Sequence, residues 1–333
     1  MSSDTSPQTP VTLPSATRVL VTGGAGFIGS HLVERLLALG CAVRVLDSFA
    51  TGRRENLSGL DDAELVEGDV QSYERVHTAM RGCDYVLHEA ALPSVPRSVQ
   101  DPLMTNVVNV TGTLNVLLAA RDSGVRRVVF ASSSSVYGSG PELPKREDLT
   151  PRPMSPYAVS KLAGESYCHA FSSVFGLETM ALRYFNVFGP RQDPASQYSA
   201  VIPRFIARAR QGRPVTIFGD GTQSRDFSYV DNVVEGNLRA IVAPRAEGQI
   251  LNVACGERIT LLDVVEELQE IFGHEIEVRH EDRRIGDVPH SHADVSRAAE
   301  EIGYVPHVPF REGLRRLVDH VIAQESAPGV GAL

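Results

Sequence analysis

The sequence predicts an α/β protein with a doubly wound parallel sheet, followed by a smaller mixed α/β domain. Over the first 190 residues, short apolar strands alternate with helices of ten or more residues, the pattern of a parallel sheet covered on both faces. A glycine-rich turn joins the first strand to the first helix, and the alternation becomes irregular after residue 189. We therefore expect a first domain over 17–189 and a second over 190–325.

Composition limits the class of protein. The 333 residues are 42% hydrophobic and 22% charged, which is typical of a soluble globular protein. The net charge of -9 without a basic run argues against nucleic acid or membrane as partners. Four widely spaced cysteines show no metal-ligand spacing, so we predict reduced thiols, no metal and a cytoplasmic location. Residues 1–16 are a predicted disordered leader, and 326–333 a frayed tail.

The predicted elements follow from local pattern. In order, the strands of the first domain are RVLVTGG, CAVRVLDS, AELVEGDV, DYVLHEAA, RRVVFASSSSVYG and LETMALRYFNVFG. The helices between them are GFIGSHLVERLLALG, SYERVHTAMRGC, NVVNVTGTLNVLLAARDSGV and SPYAVSKLAGESYCHAFSSVFG, with apolar residues at helical spacing. Beyond residue 189, VTIFGDG and EIEVRH are predicted strands among helices, and segments near 215–250 are candidates to rejoin the first sheet.

The glycine turn predicts a dinucleotide site. Gly24, Gly26 and Gly29 form G-x-G-x-x-G between the first strand and first helix, the context in which this otherwise weak motif binds pyrophosphate at a helix N-terminus. Asp47 ends the second strand, where a carboxylate accepts ribose hydroxyls and repels a 2′-phosphate, which favours NAD over NADP. The nearby Arg53 and Arg54 leave NADP open, and a ligand-free turn is the alternative.

A second motif predicts proton chemistry. Tyr157 and Lys161 lie four residues apart on one helix face, and Lys161 is one of only two lysines among 32 basic residues. An ammonium beside a phenol is expected to lower the tyrosine pKa and make it a workable base. Ser133 ends the fifth strand, at the sheet edge where ligands bind. The other lysine, Lys145, is expected to be a solvated loop residue.

Several motifs together resemble the extended short-chain dehydrogenase/reductases, the NAD-dependent nucleotide-sugar epimerases and dehydratases. They are TGGAGFIGSH, SSSSVYG, SPYAVSK, RYFNVFGPRQDP and GDGTQSRDFSYVDNV, in a match running from about residue 18 to 320. The resemblance implies a Rossmann-type fold and a catalytic trio of Ser133, Tyr157 and Lys161.

The resemblance also implies binding residues. Besides Tyr157 and Lys161, those for NAD are Gly23, Gly26, Phe27, Ile28, Gly29, Asp47, Ser48, Thr51, Gly52, Asp69, Val70, Ala90, Ala91 and Phe185. Those for a UDP-sugar are Ser94, Ser133, Asn186, Val201, Arg225, Arg284, Asp287 and Ser291.

Within this family, the sequence favours a UDP-hexose 4-epimerase. Ser134 and Ser135 stand where the dehydratases carry acidic residues, so no carboxylate is present there for elimination. Ser291 falls where galactose-type epimerases carry a tyrosine, and the space favours UDP-GlcNAc/UDP-GalNAc. Arg97 or Arg191 could pair with a sugar carboxylate, which keeps UDP-glucuronate open, and UDP-glucose is a further alternative.

Two other functions stay open at this point: a net NAD-dependent sugar oxidoreductase and a non-catalytic NAD-binding protein. The second would have no need for Ser133, Tyr157 and Lys161 together. The family resemblance also predicts a homodimer formed through a four-helix bundle. In this sequence the helices concerned are those near 106–121 and 157–175.

Overall fold

A computed structural model describes residues 10–14, 16–193, 201–282 and 289–326. The strands are β1 Arg18–Thr22, β2 Ala42–Asp47, β3 Glu64–Glu67, β4 Tyr85–His88, β5 Arg127–Ser133, β6 Glu178–Tyr184, β7 Val187–Phe188, β8 Val215–Phe218, β9 Ser224–Arg225, β10 Ser228–Tyr229, β11 Glu247–Val253, β12 Ile259–Thr260 and β13 Val278–Glu281. The helices are α1 Phe27–Ala38, α2 Tyr73–Met80, α3 Val95–Gln100, α4 Pro102–Asn106, α5 Gly112–Asp122, α6 Pro156–Phe175, α7 Val201–Arg210, α8 Val230–Val242, α9 Leu261–Phe272, α10 Ser296–Ile302 and α11 Phe310–Ser326.

The main sheet has seven strands in the order β11-β6-β5-β4-β1-β2-β3, and every pair in it is parallel. The predicted doubly wound sheet is confirmed. The strand order reverses between β1 and β4, which creates the crevice where ligands of such sheets bind.

One strand of this sheet was not predicted as a strand, although segments near 215–250 were expected to rejoin the first sheet. The segment that joins is β11, which pairs with β6 after its first residues bulge at Glu247. The predicted strand β8 stays apart and pairs with β13 in a two-stranded sheet. The division of the chain at residue 189 therefore does not coincide with the edge of the sheet.

Helices cover both faces of the sheet because the side chains of its strands alternate. On β1, Val19 and Val21 belong to the core beneath α1 and α8, whereas Leu20 belongs to the core beneath α2, α5 and α6. All three side chains are fully buried. Such two-sided burial explains why the strands read as continuous apolar runs in the sequence.

The smaller unit is tied together by one buried carboxylate. Asp226, between β9 and β10, accepts hydrogen bonds from the backbone N–H groups of Cys255, Gly256 and Ala293, at 3.0, 3.0 and 3.1 Å. These three groups come from two distant loops, so the carboxylate holds both against the end of the main sheet. Burial raises the pKa of Asp226 to about 6, and the hydrogen bonds oppose that rise.

One helix in the described residues is long and apolar enough to cross a membrane. It runs over Pro102–Asp122, contains a π-helical turn at Val107–Thr111, and has 44% of its most apolar window buried. Core helices of soluble proteins satisfy the same criterion, and α5 packs on α2 and α6. The predicted cytoplasmic location stays a prediction.

A buried ion pair fixes α6 against the sheet. The Arg183 guanidinium on β6 donates to both carboxylate oxygens of Glu165 on α6, each at 2.8 Å, and both side chains are 2% exposed or less. Ser132 on β5 donates to the same carboxylate at 2.5 Å. The carboxylate thus joins α6 to two neighbouring strands, which sets the position of the helix that carries Tyr157 and Lys161.

We predict that Glu165→Gln destabilises the protein by about 3–5 kcal/mol, because it leaves the Arg183 charge buried without its counter-ion. Denaturant unfolding measures the change. The control is Glu312→Gln, which breaks the exposed pair of Glu312 with Arg316 and is expected to cost about 1 kcal/mol or less. Equal effects of the two substitutions would contradict the structural importance of the buried pair.

Candidate active site

A large cleft runs along the carboxyl edge of the main sheet, with a volume of about 1610 Å³. Its walls include the ends of β1, β2, β4, β5 and β6 on one side and residues of α7, β8 and β9 on the other. A cleft of this size exceeds that of a typical small-molecule pocket. It has room for a dinucleotide together with a second large ligand.

The glycine turn is built for close approach of backbone to a ligand. Gly23 has a φ of +71°, and a Cβ there would lie 2.7 Å from the backbone nitrogen of Ala90. A Cβ on Gly29 would lie 2.1 Å from the Gly23 carbonyl oxygen. Helix α1 begins at Phe27 with Gly26 as its N-cap, and no side chain caps the free N–H groups. These groups face the cleft as a site for phosphate.

The end of β2 suits a ribose. The Asp47 carboxylate accepts the Ala25 N–H at 2.9 Å and the Phe49 N–H at 2.8 Å, which fixes it against the glycine turn and leaves lone pairs for hydroxyl donors. Both arginines that left NADP open have carboxylate partners: Arg53 pairs with Asp193 and Arg54 with Glu67. The residues present therefore fit NAD.

Most of the residues predicted for the cofactor line this cleft. They are Gly23, Gly26, Phe27, Ile28, Gly29, Asp47, Ser48, Thr51, Gly52, Asp69, Val70, Ala90, Ala91 and Tyr157. Two do not line it. Lys161 is 4% exposed and lies behind Tyr157, and Phe185 is fully buried. The Phe185 ring packs against Tyr137, because the chain turns at the end of β6, so its side chain is not part of the cleft wall.

The structure brings the predicted catalytic trio together. Ser133 and Tyr157 both line the cleft, the Ser133 hydroxyl lowers the pKa of the Tyr157 phenol, and Ser133 Oγ accepts the Ser135 N–H at 3.2 Å. Lys161 Nζ lies 5.8 Å from the centre of the Tyr157 ring and donates to the Ala131 carbonyl at 2.7 Å. The serine and tyrosine hydroxyls thus lie in the wall of one cleft.

The electrostatics of the trio differ from the sequence-based expectation. Burial raises the pKa of Tyr157 to about 12, and the hydrogen bond from Ser133 opposes that rise only in part. Burial also lowers the pKa of Lys161 to about 8, although the charges of Glu89 and Glu165 raise it. The expected lowering of the tyrosine pKa by Lys161 is not seen, since the ammonium is directed at Ala131.

The predicted substrate residues lie at the far end of the same cleft. Ser94, Asn186, Val201, Arg225 and Ser291 all line it with Ser133, whereas Arg284 and Asp287 lie outside the described residues. The Arg225 guanidinium donates to the carbonyls of Ser224 at 2.9 Å and Pro289 at 3.2 Å. Ser291 is held by its N–H, which donates to Ser224 at 3.0 Å.

The expectation for Lys145 was wrong. Only 3% of Lys145 is exposed, and its ammonium donates to the Gly140 carbonyl at 2.6 Å. Its backbone N–H and carbonyl bond to His292 and Asp294, so the polar loop around it is covered by a segment 150 residues away. Both lysines of the chain are therefore buried, and Lys145 also lines the cleft.

Sequence reasoning missed Asn109. This side chain in the π-helical turn accepts the Leu92 N–H at 2.8 Å and donates to Ser160 at 3.0 Å. It connects the loop after β4 to the helix turn that carries Tyr157. Several other polar residues lie in the same helix, so no signal in the sequence singled out Asn109.

Sequence reasoning also missed Glu89, which lines the cleft directly after β4. It lay within a segment already assigned to the cofactor, and only its neighbours Ala90 and Ala91 were singled out. The acidic side chain at a strand's carboxyl end was the signal available.

This geometry is typical of an α/β enzyme that transfers a proton and a hydride. The hydroxyls of Ser133 and Tyr157 lie at the carboxyl edge of a parallel sheet, in the same cleft as the glycine turn and the Asp47 carboxylate. These groups can move a proton to or from a substrate hydroxyl close to a bound dinucleotide.

Comparison with known proteins agrees with this class. The sequence model of the NAD-dependent epimerase/dehydratase family matches residues 19–254. UDP-N-acetylglucosamine 4-epimerase from Methanobrevibacter ruminantium is 38% identical with a TM-score of 0.89, covering 93% of this chain and 99% of that one. UDP-glucose 4-epimerase from Thermus thermophilus, solved with NAD, is 42% identical with a TM-score of 0.84, covering 91% and 98%.

A third similar structure is UDP-glucuronic acid 4-epimerase from Bacillus cereus, solved with UDP-glucuronic acid and NAD. It is 33% identical with a TM-score of 0.86, covering 92% of this chain and 100% of that one. The chain belongs to the NAD-dependent epimerase/dehydratase family. The prediction of an NAD-dependent UDP-sugar 4-epimerase of the extended short-chain dehydrogenase/reductase class is confirmed at the level of the family.

We predict that Gly29→Ala abolishes NAD binding, because its Cβ would collide with the Gly23 carbonyl and open the turn. Calorimetric titration with NAD, alongside thermal unfolding, separates loss of binding from loss of fold. Gly140→Ala is the control, since its Cβ meets only the flexible ends of Glu142 and Lys145, and it is expected to bind NAD normally. Unchanged affinity in Gly29→Ala would contradict the assignment of this turn.

Proposed function

We propose that the protein inverts C4 of UDP-N-acetylhexosamines, interconverting UDP-GlcNAc and UDP-GalNAc. The observation that carries this proposal is the presence of Ser133 and Tyr157 in one cleft whose other walls suit a dinucleotide and a nucleotide sugar. The similarity to 4-epimerases of UDP-N-acetylglucosamine, UDP-glucose and UDP-glucuronic acid supports the reaction.

The reaction assigns a role to each side chain. When bound, NAD supplies reversible acceptance of the hydride from C4 of the sugar. Tyr157 takes the proton of the 4-hydroxyl through Ser133. It returns the proton to the 4-oxygen after the 4-ketosugar has rotated in the cleft. Ser133 orients the 4-oxygen, and Lys161 fixes the helix turn behind the tyrosine through its bond to Ala131. No net oxidation results.

The pKa of about 12 suits Tyr157 to one half of this cycle. A neutral phenol donates its proton to the ketosugar oxygen when the hydride returns to C4. The opposite half needs positive charge near the phenol, because only a stabilised phenolate can accept the proton of the 4-hydroxyl at neutral pH. In the proposed complex oxidised NAD would supply that charge, because the Lys161 ammonium is directed at Ala131.

The remaining roles follow the same proposal. Gly23, Gly26 and Gly29 with the start of α1 would hold the NAD pyrophosphate, and Asp47 the adenosine ribose. Arg225 would bind the sugar-nucleotide diphosphate together with Arg284, and Asp287 the uridine side. Asn186 and Ser94 would contact the sugar nucleotide. These assignments rest on the cleft lining for the described residues and on the family resemblance for Arg284 and Asp287.

The N-acetyl preference rests on the space around Ser291. Its small side chain lines the cleft beside His290, whose ring is within 2.9 Å of the Ser224 hydroxyl. Among the arginines that could pair with a sugar carboxylate, Arg191 already pairs with Glu34 at 2.6 Å. Arg97 lines the cleft on α3 and keeps UDP-glucuronate as the second candidate substrate.

We predict that Ser291→Tyr lowers kcat/KM for UDP-GlcNAc at least tenfold and leaves UDP-glucose turnover within threefold, because a ring there fills the space for an N-acetyl group. Product chromatography after incubation with UDP-GlcNAc, UDP-glucose or UDP-glucuronate gives the measurement. Ser291→Ala is the size-matched control with wild-type selectivity.

Tyr157→Phe sets the inactive baseline of that experiment, with an expected loss of at least about 100-fold. A wild-type enzyme that converts UDP-glucuronate but not UDP-GlcNAc would contradict the N-acetyl proposal. Net formation of reduced NAD without epimer would contradict the epimerase reaction itself and favour a net oxidoreductase.

The homodimer is part of the proposal and rests on an exposed apolar face. Val99, Leu103, Met104 and Val107 lie along α3, α4 and the π-helical turn, and Val159 lies on the adjacent α6. Leu103 is 80% exposed. A second copy of the same face would cover these side chains, and contiguous exposed apolar surface of this kind commonly marks an interface.

We predict that the double variant Val99→Glu with Leu103→Glu is monomeric by sedimentation, because burying two carboxylates in this interface is unfavourable. Leu65→Glu, at the exposed edge strand β3, is the control and should sediment like the wild type. A wild-type protein that is monomeric at micromolar concentration would contradict the dimer.

A further inference from the structure

The wall of the cleft contains a carboxyl group, that of Glu89, which has no role in the proposed reaction. Glu89 follows β4 directly, and its N–H donates to the Thr22 carbonyl at 3.1 Å. The preceding His88 points towards α5, where it bonds to Thr113, so alternation along the strand directs Glu89 to the opposite face of the sheet. Its side chain is half-buried and lines the cleft.

The Glu89 carboxylate is held by a hydrogen bond from a tyrosine hydroxyl. The Tyr184 hydroxyl at the end of β6 donates to Glu89 Oε1 at 2.7 Å, and Asn237 of α8 donates to that hydroxyl at 2.8 Å. This chain of three side chains fixes the carboxyl group between the ends of β4 and β6. Both Glu89 and Tyr184 line the cleft that contains Ser133 and Tyr157.

Among the described residues, no Lys, Arg or His side chain forms an ion pair with the Glu89 carboxylate within 4 Å. Lys161 interacts with Glu89 only at longer range, and its ammonium donates to Ala131. Burial raises the pKa of Glu89 to about 7, while Tyr184 and Lys161 oppose the rise. A positive charge arriving in the cleft would therefore favour the ionised form.

We propose that the Glu89 carboxylate stabilises the oxidised form of the bound NAD over the reduced form. The proposal rests on the proposed function. Reduction adds a hydride, which is two electrons and one proton, to the nicotinamide ring and removes its positive charge. An anion in the cleft wall favours the charged, oxidised state over the neutral, reduced one. An epimerase benefits because each cycle must end with oxidised NAD, and the reduced form left by a lost ketosugar is inactive.

The test compares the reduction equilibrium of bound NAD in wild type and Glu89→Gln. Gln keeps an oxygen to accept the Tyr184 hydroxyl but carries no charge. Purified protein saturated with NAD is titrated anaerobically with a reduced two-electron mediator dye, and bound reduced cofactor is read by its near-ultraviolet absorbance. We expect the equilibrium in Glu89→Gln to shift at least tenfold towards the reduced form, about 30 mV for a two-electron couple.

Two further variants make the result decisive. Glu89→Ala removes the charge without keeping the hydrogen bond and is expected to shift the equilibrium in the same direction. Glu64→Gln makes the same charge change at the outer strand β3 and should stay within twofold of wild type. NAD released by acid is quantified for each protein, so that the equilibrium is measured at equal occupancy.

The outcomes separate this inference from the proposed function. If wild type epimerises its UDP-sugar while both Glu89 variants stay within twofold of its reduction equilibrium, the role of Glu89 is overturned and the proposed function stands. If the wild-type protein epimerises no UDP-sugar, the proposed function is wrong, and this inference, which rests on it, is wrong as well.

Discussion

The bidentate pair of Glu165 and Arg183, joined by Ser132, is the constraint on which the site depends. Burying two charges costs free energy that their mutual attraction recovers only when the geometry is good and the remaining polar atoms are bonded. Here three hydrogen bonds from β5 and β6 reach the Glu165 carboxylate on α6, whereas Arg183 Nη1 is buried without a hydrogen-bond partner among the described residues. Such a pair fixes where α6 lies on the sheet, and α6 is the helix that carries Tyr157.

Desolvation determines the chemistry of the site. It raises the pKa of Tyr157 and lowers that of Lys161, so each group is pushed towards its neutral form. Charges supplied by ligands then count for more than they would in water. In such a site the charge of the bound cofactor sets how readily Tyr157 gains or loses a proton. In the proposed complex, Glu89 is the protein's negative charge facing that cofactor.

Local patterns in the sequence were sufficient for six of the seven strands of the sheet and for the residues at its carboxyl edge. Strand ends of a parallel sheet converge, so the glycine turn, Asp47 and Ser133 could be brought together without coordinates. Long-range packing could not be read in the same way. Strand β11 and the burial of Lys145 both depend on partners far along the chain. The polar loop around Lys145 looks solvated because its covering segment near His292 leaves no local signature. The tyrosine pKa likewise depends on the direction of an ammonium, which spacing alone does not give.

In the proposed reaction, C4 of the sugar is inverted by a hydride that leaves and returns within one site. The most direct measurement uses UDP-GlcNAc deuterated at C4, incubated with the purified protein in ordinary water, with the isotope content of the product read by mass spectrometry. The expected product is UDP-GalNAc that keeps its deuterium at C4. Product that has exchanged C4 deuterium for solvent hydrogen, or release of a ketosugar in place of the epimer, would contradict the proposed reaction.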